Sequence, residues 1–149
     1  MEDSAFTILL AEDDSNDVLL TKLALSRAGI HNPIQIVEEG EEAMNYLTGR
    51  GKYADRKRYP IPRLALLDIK MPKFTGLEVL SWLRHQPDET IRRLPVVIMS
   101  SSSEQKDIDR AYELGVNAYL VKPNAFKDLV GVLKTTAEFW IETAAHPKI

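Results

Sequence analysis

The chain has 149 residues, which fits one domain, with 44% hydrophobic and 28% charged residues, enough for a core and an ordinary water-facing surface. A net charge of −3 gives no global basic field for nucleic acid, and the absence of cysteine excludes disulfides and cysteine-ligated metal. The acidic start, MEDSAFTILLAEDD, holds an apolar run too short for a signal peptide, and no run approaches the roughly 18 residues of a membrane span, so a cytoplasmic protein without membrane contact is expected.

Phe6 to Ala11 is an apolar run and reads as the first strand; Glu12, Asp13 and Asp14 follow at once. Ser15 to Ala28 has helical period, with Asp14 or Ser15 as N-cap and Gly29 as the stop. Its predicted stripe is Val18, Leu19, Lys22, Leu23, Leu25 and Ser26. Ile34 to Val37 reads as strand two, and Glu41 to Thr48 as helix two. Gly49 to Arg63 carries Arg50, Lys52, Arg56, Lys57, Arg58 and Arg63 against the single acid Asp55. It is expected to be an exposed basic loop, with Tyr53 and Tyr59 as candidates to fold back on the body. Loops of such length in a compact domain tend to be functional or mobile.

Leu64 to Leu67 is an apolar run closed by Asp68 and a Pro/Gly-marked loop, as a strand buried on both faces would be. Helix three runs from near Gly76 to His85, with Leu77, Leu80 and Leu83 inward. Pro95 to Met99 is strand four, followed by the serines Ser100 to Ser103. Helix four spans Glu104 to Leu114, and Ala118 to Val121 is strand five. After Lys122-Pro123, helix five starts near Ala125 and is expected to reach Thr143. Five strands alternating with five helices predict an α/β fold, a doubly wound five-stranded parallel sheet with right-handed crossovers. One domain is expected over 1–149, with a core at about 6–137 and an extension of the last helix and tail at 138–149.

In such a sheet the carboxyl ends of the strands share one edge, where ligands bind. That edge gathers Glu12, Asp13, Asp68, Ser100 and Lys122 from distant segments. Three carboxylates in one place repel, and buried charge must be offset. Lys122 supplies one positive charge; a hard divalent cation with oxygen ligands, Mg²⁺, supplies two. Carboxylate, metal, lysine and hydroxyl together suit phosphoryl transfer, with an aspartate as nucleophile. Each residue alone is unspecific: a strand-end Asp is often a turn former, and a lone Lys is usually solvated.

The same residues, in register over about 6–137, resemble the receiver domain of bacterial two-component response regulators. The resemblance implies the flavodoxin-like (βα)5 fold with strand order 2-1-3-4-5. It implies Asp68 as phospho-acceptor, and Mg²⁺ held by Glu12, Asp13, Asp68 and the Lys70 carbonyl. Met71 to Gly76, MPKFTG, matches the receiver loop. Ser100 takes the switch-hydroxyl position, Tyr119 the aromatic-switch position, and Lys122 the phosphoryl-contacting position, with the Lys122-Pro123 bond usually cis in the family. Ser101, a small neighbour, leaves access for the phosphodonor. The implied function is a signalling switch, not an enzyme beyond its own phosphorylation and dephosphorylation. A histidine kinase phosphohistidine donates to Asp68, and the surface of the fourth helix, fifth strand and fifth helix changes for partner binding or dimerisation.

The basic loop and the tail Glu138 to Thr143 are additions to the plain receiver. They resemble the stand-alone response regulators that partner bacterial and cyanobacterial phytochromes. On helix five, Phe126, Leu129, Val130, Leu133, Ala137 and Trp140 form one stripe, and Val132 and Phe139 lie off it. Val132, Phe139 and Trp140 are therefore the candidate partner surface, and a homodimer is expected there; the alternative is that Phe139 and Trp140 fold back on their own domain. Two other readings share the chemistry. A phosphorelay intermediate would pass the group to a histidine phosphotransfer protein. A Mg²⁺-dependent aspartyl-phosphate phosphatase would need a second aspartate where Lys70 stands. DNA binding is not expected, since no helix-turn-helix follows helix five.

Overall fold

Unbroken apolar runs dictate the centre of the molecule. A strand covered on both faces has no polar side to show, so its sequence does not alternate. The computed structural model describes residues 6–147. The runs become β1 (Ile8–Ala11), β3 (Leu64–Leu67) and β4 (Val96–Ser100), buried along their whole length. The flanking strands β2 (Ile34–Val37) and β5 (Ala118–Val121) are mostly half-buried. All pair in parallel, in the order β2-β1-β3-β4-β5, the doubly wound flavodoxin-like arrangement. The chain changes direction across the sheet between β1 and β3, which opens a crevice at their carboxyl ends.

Six α-helices are described: α1 (Ser15–Arg27), α2 (Gly40–Thr48), α3 (Gly76–Arg84), α4 (Glu89–Arg92), α5 (Gln105–Glu113) and α6 (Phe126–Glu138). The single turn α4 is too short to show a period in sequence, so the helices predicted as fourth and fifth are α5 and α6. Side chains alternate across each strand. Leu9, Ala11, Ala65, Leu67, Val96 and Ile98 join the core that includes Ala43, Leu47, Val79, Leu83 and Ala111 of α2, α3 and α5. Ile8, Leu10, Leu64, Leu66, Val97 and Met99 join the core that includes Ala24, Leu25, Leu129 and Leu133 of α1 and α6.

Four expectations change. In α1 the buried residues are Thr21, Ala24 and Leu25, whereas Leu19, Leu20 and Leu23 are 55%, 42% and 50% exposed. α1 meets the body through Thr21, Ala24 and Leu25, so of the predicted stripe Leu25 packs inward while Leu19 and Leu23 turn toward water. The basic loop is partly folded. Gly51–Ala54 forms a 3₁₀ turn, and the rings of Tyr46, Tyr53 and Tyr59 meet with centroids 5.0–6.1 Å apart. The Arg56 guanidinium donates to the carbonyls of Tyr46 (2.8 Å), Leu47 (2.9 Å) and Tyr59 (3.2 Å), so it serves the open end of α2. Burial pushes the Tyr46 phenol up to about 12. The last helix stops being α at Glu138 and passes into a π turn, Phe139–Thr143. That turn brings His146 against Phe6, 5.2 Å between centroids, and onto the Trp140 carbonyl at 2.5 Å. Finally, no peptide bond is cis among the described residues, so Lys122-Pro123 is trans, the isomer that X-Pro bonds favour by default.

Two glycines in contrasting settings test this packing. A Cβ on Gly76 would lie 2.1 Å from the Asp68 carbonyl oxygen, whereas one on Gly131 meets nothing within 4 Å. Gly76→Ala is expected to lower unfolding free energy by about 1–3 kcal/mol. Gly131→Ala, inside α6, is expected to raise it by about 0.5–1 kcal/mol. Urea unfolding of both variants checks the pair.

Candidate functional site

Register brings the chemistry together. Ala11 pairs with Leu67, and Ser100 with Val121, so Glu12 and Asp68 emerge side by side with Lys122 two strands away. The ladder runs one rung past the strand ends: Glu12 N donates to Val37 O (3.0 Å), Asp68 N to Ala11 O (3.0 Å) and Lys122 N to Ser100 O (2.8 Å). These bonds fix the backbone at each functional residue. Gly76 N donates to Ile69 O (2.9 Å), and the capping box of Thr75 with Glu78 starts α3, so the loop after Asp68 is held at both ends.

The Lys122 ammonium lies at the centre. Its Nζ is 2.7 Å from Glu12 Oε1, 3.0 Å from Asp68 Oδ2 and 3.1 Å from Asp17 Oδ2. The side chains of Lys122, Asp68 and Glu12 are 15%, 12% and 3% exposed. Burial opposes the ammonium, but hydrogen bonds to Glu12 and Asp68 outweigh it and raise its pKa. Glu12 goes the other way. Burial first, and the adjacent Asp68 second, lift its pKa from 4.5 to about 7, against the pull of Lys122 and of the Asp14 amide.

These groups open into a cavity of about 580 Å³, lined by Glu12, Asp13, Asp14, Asp17, Asp68, Lys70, Ser101 and Lys122 among others. Asp13 is exposed on its wall, outside the cluster around the ammonium. Lys70 is exposed, and its backbone N–H donates to Asp68 Oδ1 at 3.3 Å. Ser101 faces the cavity, whereas Ser100 is buried, its hydroxyl accepting from Ser102 N at 3.1 Å. Half-buried Tyr119 donates its hydroxyl to the Ser102 carbonyl at 2.9 Å. Ser102 in turn donates to Asp107 Oδ2 at 2.6 Å. Away from the cavity, Phe139 is 48% exposed and meets Trp140 edge to face at 5.2 Å. Trp140 is half-buried against the α1/α6 core, and Val132 is half-buried beside a shallow depression.

Asp17 was not among the sequence candidates. A signal for it existed: with Asp14 as N-cap, Asp17 is the third residue of α1, in the first turn of a helix that begins over the end of β1. Carboxylate oxygens of Glu12, Asp17 and Asp68 lie within 4.8 Å of one another. An all-oxygen donor set with excess negative charge, open to water, fits a hard divalent cation.

A doubly wound sheet whose carboxyl edge gathers acids, a lysine and a serine is an α/β domain with a cation-compatible acidic crevice. The chain belongs to the response regulator receiver domain family, whose pattern matches residues 8–134, and it is a receiver-type regulator of two-component signalling. Response regulator Rcp1 of Synechocystis is 37% identical over 140 residues, covering 94% of this chain and 92% of Rcp1. The crystal structure of RPA3017, a response regulator in red light signaling of R. palustris, is 40% identical with TM-score 0.90, covering 97% of this chain and 99% of that one. The phosphorylated cyanobacterial phytochrome response regulator RcpA is 37% identical with TM-score 0.86, over 96% and 99% of the two chains. A solved form of Rcp1 holds Mn²⁺, at TM-score 0.83 and 36% identity over 96% of this chain and 99% of that one.

Glu12 makes the site pH-sensitive. A carboxyl whose pKa is raised by folding stabilises the fold while protonated and loses that contribution as pH rises through about 7. A divalent cation needs the ionised form, so binding competes with this proton. The gain in melting temperature on adding Mg²⁺ is expected to be larger at about pH 8 than at about pH 5. Glu12→Gln should flatten that difference in a thermal scan.

Proposed function

We propose that this chain is a single-domain response regulator that accepts a phosphoryl group on Asp68. The observation that carries the reading is the Asp68 carboxylate, 12% exposed and 3.0 Å from Lys122 Nζ at an open cavity. Asp68 Oδ attacks the phosphorus of a phosphohistidine in line. The P–N bond breaks as the O–P bond forms, and the imidazole leaves with the electron pair. Lys122 keeps its proton and turns a donor to a phosphoryl oxygen. Glu12, Asp13, Asp68 and the Lys70 carbonyl would hold Mg²⁺, which would supply positive charge to offset the phosphoryl oxygens. Ser100 exchanges its bond from Ser102 N for one to the phosphoryl group. Tyr119, bonded to the same loop, responds by turning inward. The surface of α5, β5 and α6 is the output, and no chemistry beyond the chain's own phosphorylation and dephosphorylation is assigned to it.

Relatives described as phytochrome and red-light response regulators support a phytochrome-type sensor histidine kinase as donor; the reading places the pair's exchange in the cytoplasm. Exposed Phe139, next to Trp140 and on the same helix as Val132, supports a two-fold homodimer through α6 and its π turn rather than contact with DNA or membrane. The described part of the extension, 138–147, belongs in this reading to that dimer.

Intact mass after incubation with Mg²⁺ and acetyl phosphate tests the chemistry. One phosphoryl adduct is expected on the wild type and none on Asp68→Asn; an adduct on the variant moves the site elsewhere. Sedimentation of wild type and Phe139→Ala tests the dimer, and a wild type monomeric at high concentration, with and without a phosphoryl analogue, removes it.

A further inference from the structure

An ammonium has three N–H donors and no acceptor. In Lys122 each donor has a carboxylate: Glu12 at 2.7 Å, Asp68 at 3.0 Å and Asp17 at 3.1 Å. Two of these partners come from the ends of adjacent strands, and the third stands on the first turn of α1. Glu12 and Asp17 take no part in bond making at Asp68. The bland role for Asp17 is a helix-first-turn acid beside the positive end of α1, which exposed groups fulfil without touching any lysine. Such a role does not require an oxygen 3.1 Å from a side chain that is 105 positions away in the chain. The convergence on one ammonium does.

We propose that Asp17 is a positioning residue for phosphoryl transfer: with Glu12 it holds two legs of the Lys122 ammonium, so that the third N–H faces the Asp68 oxygen where the phosphoryl group arrives. This rests on Asp68 being the acceptor. The long lysine stem loses rotamer freedom when its head is fixed, and two anchors that do not react supply that order before the donor binds. With acetyl phosphate, Asp68 Oδ attacks phosphorus, the P–O bond to the acetyl group breaks and acetate leaves. Lys122 stays protonated and its third donor passes from Asp68 to a phosphoryl oxygen. In this role Asp17 acts through Lys122, and the Mg²⁺ dependence of the reaction separates that role from the metal-ligand role its place in the acidic cluster also allows.

The experiment is a double-mutant cycle on the full chain with Mg²⁺ and acetyl phosphate, read by intact mass over time. Asp17→Ala is expected to slow adduct formation about tenfold, with half-saturating Mg²⁺ changed less than about twofold. Asp17→Asn, which keeps an acceptor oxygen, should recover part of the rate. In the Lys122→Ala background, Asp17→Ala should add no further loss. An undiminished rate in Asp17→Ala, a half-saturating Mg²⁺ raised more than about twofold, or an equal fold-loss in both backgrounds overturns the proposal. A second readout is independent of phosphorylation: the ¹⁵N-coupled proton signal of the Lys122 ammonium, held in three bonds, should be visible in the cold in wild type and lost to exchange in Asp17→Ala. Its persistence in the variant overturns the proposal. A wild type that forms no adduct removes the acceptor reading instead, and the ammonium signal then still decides whether Asp17 orders Lys122.

Discussion

One ammonium faces three carboxylates at the carboxyl edge of the sheet. In a site where Glu12 is 3% exposed, such a cluster is stable only because each negative oxygen sits within hydrogen-bond distance of Lys122 Nζ. Even so, one positive charge cannot satisfy three negative ones, and burial first, with the adjacent Asp68 second, raises the pKa of Glu12. The site is therefore poised. An acidic all-oxygen cluster of this kind suits a proton or a divalent cation, and each changes the electrostatic cost that the other meets.

The rest of the fold serves to hold that cluster in place. The parallel order β2-β1-β3-β4-β5 sends the chain in opposite directions from β1 and β3, which leaves Glu12 and Asp68 beside an open crevice rather than beneath a helix. Unbroken burial of β1, β3 and β4 fixes their register, and a one-residue slip would send every side chain to the wrong face. Gly76 lets the start of α3 approach within a distance that no Cβ permits at the Asp68 carbonyl. A rigid edge of this kind is what a small charge change needs if it is to move something else.

Legibility in the sequence follows the kind of force involved. Strand positions were readable because double burial writes continuous apolar runs, and Glu12, Asp68 and Lys122 were readable because they directly follow such runs. Helix period alone does not say which face of α1 is covered: Leu25 of the predicted stripe packs with Thr21 and Ala24, while Leu19 and Leu23 do not. Arg56 looked like a solvated charge, yet it spends its donors on three carbonyls. Arg84 is the same case in α3: its guanidinium binds the carbonyls of Gly115, Arg92 and Leu94 and the Asn117 side chain, at 2.7–3.0 Å. Long-range side chain to backbone bonds leave no local pattern. Asp17 was hidden for a related reason, since its partner is distant in sequence and only the entry angle of α1 brings the two together.

The loop after β4 ties this edge to two outer elements. Ser102 is its junction. Its N–H donates to Ser100 Oγ, its hydroxyl to Asp107 of α5, and its carbonyl accepts from Tyr119 of β5. The three bonds tie a buried hydroxyl at the end of β4 to the first turn of α5 and to a ring on the edge strand. If Ser100 turns its hydroxyl toward a new acceptor above Asp68, Ser102 N loses its partner, and a buried or half-buried donor left alone costs about 1–3 kcal/mol. That energy is comparable to the couplings typical of two-state switches. The loop must then rearrange to satisfy Ser102, and Tyr119 and Asp107 are the groups bonded to it. In the proposed switch, the bonds that share Ser102 set which groups such a rearrangement reaches first, without any need for a change in the sheet itself.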